Sequence, residues 1–169
     1  MTKTIKEINL PLNNCGECSL YQEQTYNPHN YWGNLNQPDV LFIGEAPGAA
    51  EQQTGLAFQG RAGKLLQKTL KEIGIDDYAI ANVVACRPEG MNAYGKVIDR
   101  KPTSTEIRHC FDNLDAIINH VKPKFIVALG ATACTRLKVK GGITAVRGVM
   151  CETPYGQVLP IFHPSYILR

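Results

Sequence analysis

The chain has 169 residues, with 18 Lys and Arg against 15 Asp and Glu, and 44% of it is hydrophobic. That length suits one domain that buries its own core, and the composition excludes a disordered or low-complexity chain. A formal charge of +3 is too small to imply a nucleic-acid partner by itself, and no apolar run approaches the length that spans a membrane.

Residues 1–39 read as an irregular opening segment, punctuated by Asn13, Asn14, Gly16, Asn27, Pro28, Gly33 and Pro38 and containing Cys15-Gly-Glu-Cys18. Val40-Leu-Phe-Ile43, stopped by Gly44, predicts a strand buried on both faces. From Gly60 to Ile73 the apolar residues Ala62, Leu65, Leu66, Leu70 and Ile73 follow a helical period, which Gly74 closes. Tyr78 to Val84 predicts a second buried strand. Thr105 to Val121 predicts a second amphipathic helix through Ile107, Phe111, Leu114, Ile117 and Ile118, capped by Thr103 or Ser104. Phe125-Ile-Val-Ala-Leu129 is a third strand, and Ala131 to Leu137 a short helix behind it. Val158-Leu-Pro-Ile-Phe162 is a fourth, placed at an edge by Pro160. Strands alternating with helices imply a parallel sheet with right-handed crossovers. The expected fold is a three-layer α/β/α sandwich on a central four-stranded parallel sheet, a single domain over residues 1–169.

In such folds ligands bind beyond the carboxyl ends of the strands. Here those ends run into Gly44-Glu-Ala-Pro-Gly48, Ala85-Cys-Arg-Pro88, Gly130-Ala-Thr132 and His163-Pro-Ser-Tyr166. In the first, glycines let the backbone of Gly44 and Ala46 approach a ligand, and the Glu45 carboxylate is placed to orient water or to stabilise positive charge developing on a sugar. A solvent-facing turn is the bland alternative. The Gly-x4-Gly-Lys-Ser/Thr phosphate loop is absent, which removes support for triphosphate hydrolysis.

Phe58 stands between glycines in a loop rather than on a core period, where its ring can stack on a planar base or simply cover the core. Asn82 interrupts the apolar run Ile80-Ala-Asn-Val-Val84. Its amide can both donate and accept, which suits the O4/N3–H edge of a pyrimidine, although bonding to neighbouring loops is the commoner fate. His163 can donate to an oxygen that gains charge, and Ser165 with nearby amides can hold a phosphate.

Six cysteines exceed what a domain of this size needs. With no signal-peptide apolar region at the start, the expected compartment is a reducing cytoplasm, where cysteines mean metal ligands or buried thiols more often than cross-links. Cys15 and Cys18 have metal-type spacing, and Cys86 and Cys110 complete a set of four that fits zinc or an iron–sulfur cluster. Cys134 and Cys151 read as ordinary thiols. No acidic residue lies between Asp115 and Glu152, while Lys122, Lys124, Arg136, Lys138, Lys140 and Arg147 do. Such a stretch can meet phosphates or form a solvated basic face.

Together these residues resemble the family 4, iron–sulfur branch of the uracil-DNA glycosylases. The resemblance rests on Cys15-x2-Cys18, Gly44-Glu-Ala-Pro-Gly48, Thr54-Gly-x2-Phe58-x-Gly-Arg-Ala-Gly63-Lys-Leu-Leu66, Asn82-Val-Val-x-Cys86-Arg-Pro88, Glu106-Ile-x2-Cys110 and His163-Pro-Ser-Tyr-Ile-Leu-Arg169, in family order over nearly the whole chain. It implies excision of uracil from single- or double-stranded DNA by N-glycosidic hydrolysis, leaving an abasic site in base excision repair. It further implies that Glu45 orients the attacking water, Phe58 stacks on the flipped base, Asn82 reads its Watson–Crick edge and His163 stabilises charge on uracil O2. Glu51 would lie near C5 and help exclude thymine. A structural 4Fe–4S cluster would be held by Cys15, Cys18, Cys86 and Cys110, with zinc the alternative.

The expected enzyme is a monomer without a membrane partner. Three features depart from the family pattern. Ala49-Ala50-Glu51 replaces an acidic run, and the link from Cys86 to Cys110 is several residues longer than usual. The chain also stops at Arg169, where relatives continue into a closing helix, as expected of a minimal form or of a domain of a larger replication or repair polypeptide. Alternatives are a DNA-binding module with reduced catalysis, serving replication machinery, and a glycosylase for another deaminated or modified base.

Overall fold

The computed structural model describes residues 18–22 and 31–169. In chain order these form helix α1 (Ser19–Gln22), strands β1 (Tyr31–Gly33) and β2 (Val40–Gly44), helices α2 (Ala49–Thr54) and α3 (Arg61–Glu72), and strand β3 (Tyr78–Asn82). A hairpin of β4 (Glu89–Met91) and β5 (Val97–Asp99) follows, then α4 (Ser104–His109), α5 (Phe111–Val121), β6 (Phe125–Leu129) and α6 (Ala131–Arg136). The chain closes with α7 (Ile143–Val146), β7 (Cys151–Thr153), β8 (Gly156–Ile161) and α8 (Pro164–Ile167).

The main sheet runs β1-β3-β2-β6-β8-β7. Its centre, β3-β2-β6-β8, is the expected parallel four, and an antiparallel strand is added at each edge. Buried on both faces, β2 sends alternate side chains to opposite layers. Leu41 and Ile43 join Leu114, Ile117 and Val121 of α5 in one core. Val40 and Phe42 join Leu66 and Leu70 of α3 in the other. Helices on both faces of one sheet give the three layers.

Two local expectations need correction. The helix expected from Thr105 to Val121 is broken at Cys110, which ends α4 and precedes α5. Thr103 caps α4: its hydroxyl accepts from the Glu106 N–H while the Glu106 carboxylate accepts from the Thr103 N–H, a reciprocal pair that satisfies two open donors. Pro160 does not lie on an edge strand, because β8 is flanked by β6 and β7. It is tolerated because β7 pairs only with Gly156 to Val158, so Pro160 lies past the end of the ladder, where its carbonyl accepts from Gly148 N–H at 2.8 Å.

One member of the basic stretch is withdrawn from the surface. Arg136 is 3% exposed. Its guanidinium bonds the Phe111 carbonyl at 2.8 Å, Asp115 at 2.5 Å and the Tyr155 hydroxyl at 2.5 Å, and lies 3.5 Å from the Phe111 ring centre. It locks α6 to α5 and to the β7–β8 turn. Lys124 pairs with Asp39 at 2.5 Å. Cys134 is buried, and that burial pushes its thiol up to about 11, as suits a packing residue. Among the described residues no helix is long and apolar enough to cross a membrane.

Candidate active site

The loops that leave β2 and β8 line a cleft of about 630 Å³ together with the segment around Phe58 and the end of the β4–β5 hairpin. Glu45, Ala46, Glu51, Phe58, His163 and Ser165 line it. Gly44 and Asn82 pair across β2 and β3 as the last residues of both strands, one layer deeper. Asn82 is 4% exposed.

Gly44 shows how closely this layer is assembled. A Cβ built there would sit 2.5 Å from Asn82 Oδ1 and 2.5 Å from the Phe58 ring. The aromatic ring and the amide therefore meet over a residue that has no side chain, and only glycine leaves room for both.

Phe58 itself is 5% exposed and holds a left-handed backbone, φ +57°. Such a conformation costs a bulky residue on the order of 1–2 kcal/mol, so its surroundings must impose it. They do so from several sides. The Trp32 indole N–H donates to the Ala57 carbonyl at 2.6 Å, and the Gln67 amide donates to the Phe58 carbonyl at 2.9 Å. Just after Phe58, Gln59 and Gly60 donate their N–H groups to Glu51 Oε1 at 2.9 and 2.8 Å. Glu51 Oε2 accepts from Gly48 N–H at 3.1 Å. One carboxylate thus ties the loop after β2 to the loop that carries Phe58, and both its oxygens are engaged.

The Glu45 carboxylate accepts a hydrogen bond from the Thr132 hydroxyl at the start of α6. Its segment stood out in the sequence as a loop at a strand end, but a lone Thr carries no signal of its own. The backbone of Gly44 and Glu45 is fixed too, since their carbonyls accept from Val83 and Val84 N–H.

His163 caps α8 and stacks obliquely on Phe58, ring centres 5.6 Å apart. Its Nδ1 accepts from the Ser165 N–H at 3.2 Å and lies 2.8 Å from the Ser165 hydroxyl. Because a backbone N–H can only donate, Nδ1 carries no proton, and in the neutral ring the proton is on Nε2. Burial holds the imidazole below its ordinary titration range, with Glu45 and Glu51 acting in the opposite sense. The ring is thus a neutral donor at physiological pH.

Of the cysteines, Cys15 lies outside the described residues. Cys18 and Cys86 meet with Leu20 in one buried cluster, and Cys110 is buried between α4 and α5. Among the described residues no group of three or more His, Cys, Asp or Glu side chains is gathered as a metal site. The rim also includes Asp99, Arg100 and Lys101, from the end of the β4–β5 hairpin, of which Asp99 and Lys101 carry no motif signal in the sequence.

The fold gathers a carboxylate, an aromatic ring, an amide and a neutral imidazole around one cleft, and its relatives are known. The family model described as the uracil DNA glycosylase superfamily matches residues 31–169, and the chain belongs to that superfamily. It is 42% identical over 160 residues to the type-4 uracil-DNA glycosylase of Thermotoga maritima, covering 92% of this chain and 78% of that one. It is 35% identical to the type-4 uracil-DNA glycosylase of Sulfurisphaera tokodaii, covering 98% and 76%. Its branch of the superfamily is therefore type 4. The crystal structure of wild-type Pedobacter heparinus SMUG2 superposes with a TM-score of 0.53 at 13% identity, over 86% of this chain and 82% of that one, which supports the fold.

Proposed function

We propose that this type-4 uracil-DNA glycosylase hydrolyses the bond between uracil N1 and the sugar C1′ through Glu45 and His163, on a base held by Phe58 and Asn82. The observation that carries the assignment is the meeting of Phe58 and Asn82 over Gly44, beside a His163 whose only proton is on Nε2. A flipped base stacks on the Phe58 ring and presents its O4/N3–H edge to the Asn82 amide, which accepts from N3–H and donates to O4. As the glycosidic bond lengthens, its electron pair passes to the uracil ring and charge gathers on O2. His163 Nε2–H donates to that oxygen, and because the donor is fixed beforehand by Ser165 it reorganises little at the moment of reaction. The sugar becomes oxocarbenium-like. Glu45, steadied by Thr132, orients a water whose oxygen bonds C1′ and whose proton passes to the carboxylate.

Glu51 has a positioning role in this scheme. Its oxygens are committed to three backbone amides, and its position on the cleft wall is also compatible with crowding a 5-methyl group.

Cys15, Cys18, Cys86 and Cys110 are proposed to hold a 4Fe–4S cluster. The buried thiols of Cys18, Cys86 and Cys110 suit thiolate ligation. When bound, the cluster supplies a cross-link between the N-terminal segment, the loop after β3 and the start of α5.

The test is direct. The protein is incubated with a uracil-containing oligonucleotide and abasic sites are cleaved with alkali. Strand scission is expected from the wild type, and Asn82→Ala should lower excision far more than affinity for the same DNA, since base edge and phosphate contacts are distinct. No scission from folded wild-type protein, or equal losses of excision and affinity in the variant, would overturn the scheme.

A further inference from the structure

The β4–β5 hairpin is built to be rigid, yet it exposes apolar surface. Two strands of three residues are not stable alone in water, and this pair is held from its base. Arg87 donates to Glu89 at 2.6 Å, to Asp99 at 2.6 Å and to Gln52 of α2 at 3.0 Å. Arg100 donates to the Glu89 carbonyl at 2.8 Å and forms a two-point pair with Glu106 of α4 at 2.6 and 2.9 Å. The tip is also ordered, because Asn92 Oδ1 accepts from both Tyr94 N–H and Lys96 N–H at 3.0 Å. Beyond this base, however, Met91 is 72% exposed and Tyr94 94%, with Val97 and Ile98 exposed as well. Apolar side chains on so braced a ribbon mark a contact surface.

Three observations identify what it contacts. The hairpin is continuous with the cleft: Asp99, Arg100 and Lys101 line the rim, and Asp99 Oδ2 lies 3.4 Å from where a Cβ on Gly48 would be. Its charge is one-signed towards the tip, because Arg87 engages both Glu89 and Asp99, and Lys96 is the one charged residue between Gly90 and Ile98. Its tip combines an open aromatic ring with that cation, the pairing that suits a nucleotide's base and phosphate.

Resting on the uracil-DNA glycosylase reading, we infer that the β4–β5 hairpin is a DNA-gripping arm, in which Tyr94 stacks on an unpaired base and Lys96 meets a phosphate of the strand beside the excised uracil. Three residues of strand reach roughly 10 Å from the rim. That reach carries the contact past the nucleotide next to the uracil.

The experiment measures binding and turnover separately in the full chain. Fluorescence anisotropy with a single-stranded 20-mer carrying an uncleavable abasic analogue should show a loss of about tenfold for Tyr94→Ala, the value of one stacked base. Tyr94→Phe should restore it. Lys96→Ala should lower the salt slope of binding by about one. In excision assays Tyr94→Ala should raise KM on a uracil 20-mer with kcat unchanged, and should match the wild type on an oligonucleotide that ends one nucleotide from the uracil on both sides. Wild-type affinity and KM in Tyr94→Ala, or loss of affinity in Tyr94→Phe, would overturn the inference and leave the apolar ribbon to a protein partner or a second copy of the chain. A wild type that binds the 20-mer but excises nothing would defeat the functional reading, while the anisotropy arm would still decide the hairpin.

Discussion

Glu51→Gln removes one charge and replaces one carboxylate oxygen with an amide nitrogen that cannot accept. Whichever way the new amide turns, an N–H faces an N–H. Either Gln59 and Gly60 lose their acceptor or Gly48 does, and the charge that strengthened the remaining bonds is gone. A hydrogen bond to a charged acceptor contributes about 1.5–3 kcal/mol, and the site is only partly buried, so water recovers a share of it. A net loss of about 2 kcal/mol is expected in the ordering of the Phe58 loop. That is comparable to the on the order of 1–2 kcal/mol needed to hold Phe58 in its left-handed conformation, so the loop should leave its productive arrangement for a large fraction of the time. A free-energy loss of about 2 kcal/mol corresponds to a fall of roughly 30-fold in kcat/KM. The assay is uracil release from a labelled oligonucleotide under single-turnover conditions, with thymine release measured in parallel. Excision within twofold of wild type would refute the latch argument. A gain of thymine release with uracil excision intact would show that Glu51 acts at C5 instead.

Two further outcomes follow from the geometry. Cys86→Ser should yield a protein without the broad visible absorbance expected of the wild type, and a colourless wild type with stoichiometric zinc would refute the iron–sulfur assignment. Glu106 is held at about 2 chiefly by its hydrogen bonds from Arg100, against burial. A carboxyl lowered from 4.5 stabilises the fold at every pH above its unfolded value and loses that contribution only as pH falls towards the folded one. Glu106→Gln should therefore cost about 3 kcal/mol, seen as a lower urea midpoint, and the cost should be the same at pH 6 and pH 8; a cost that changes across that interval would refute the assignment.

The parallel core of the fold was legible because β2 and β6 are apolar runs and β3 is interrupted only at Asn82, its last residue, and the helix from Gly60 to Ile73 because its apolar residues keep one period. The break at Cys110 was not, since Ile107, Phe111 and Leu114 keep a helical spacing through it and only the pairing of half-buried Arg100 with buried Glu106 shows where α4 is pinned. The edge strands β1 and β7 are three residues each, too short for a periodic signal. At the site, Glu45, Phe58, Asn82 and His163 could be picked out because each is the wrong residue type for its place: a carboxylate among glycines, a ring in a loop, an amide in a strand, an imidazole at a strand end. Thr132 and the Glu51 latch could not, because their contacts join loops 87 and nine residues apart through hydroxyl, carboxylate and backbone groups that every chain carries. Arg136 misled for the opposite reason, since its neighbours in sequence are solvent-facing lysines while Asp115 and Phe111, which enclose it, come from another helix.

The indole that holds the Ala57 carbonyl belongs to the chain's single tryptophan. Trp32 is thus an optical reporter already wired to the loop of Phe58. Its emission can be followed without any label as DNA is added, and it senses the loop itself rather than the release of product. Motion of the Phe58 loop can then be timed apart from bond cleavage, using the unmodified protein.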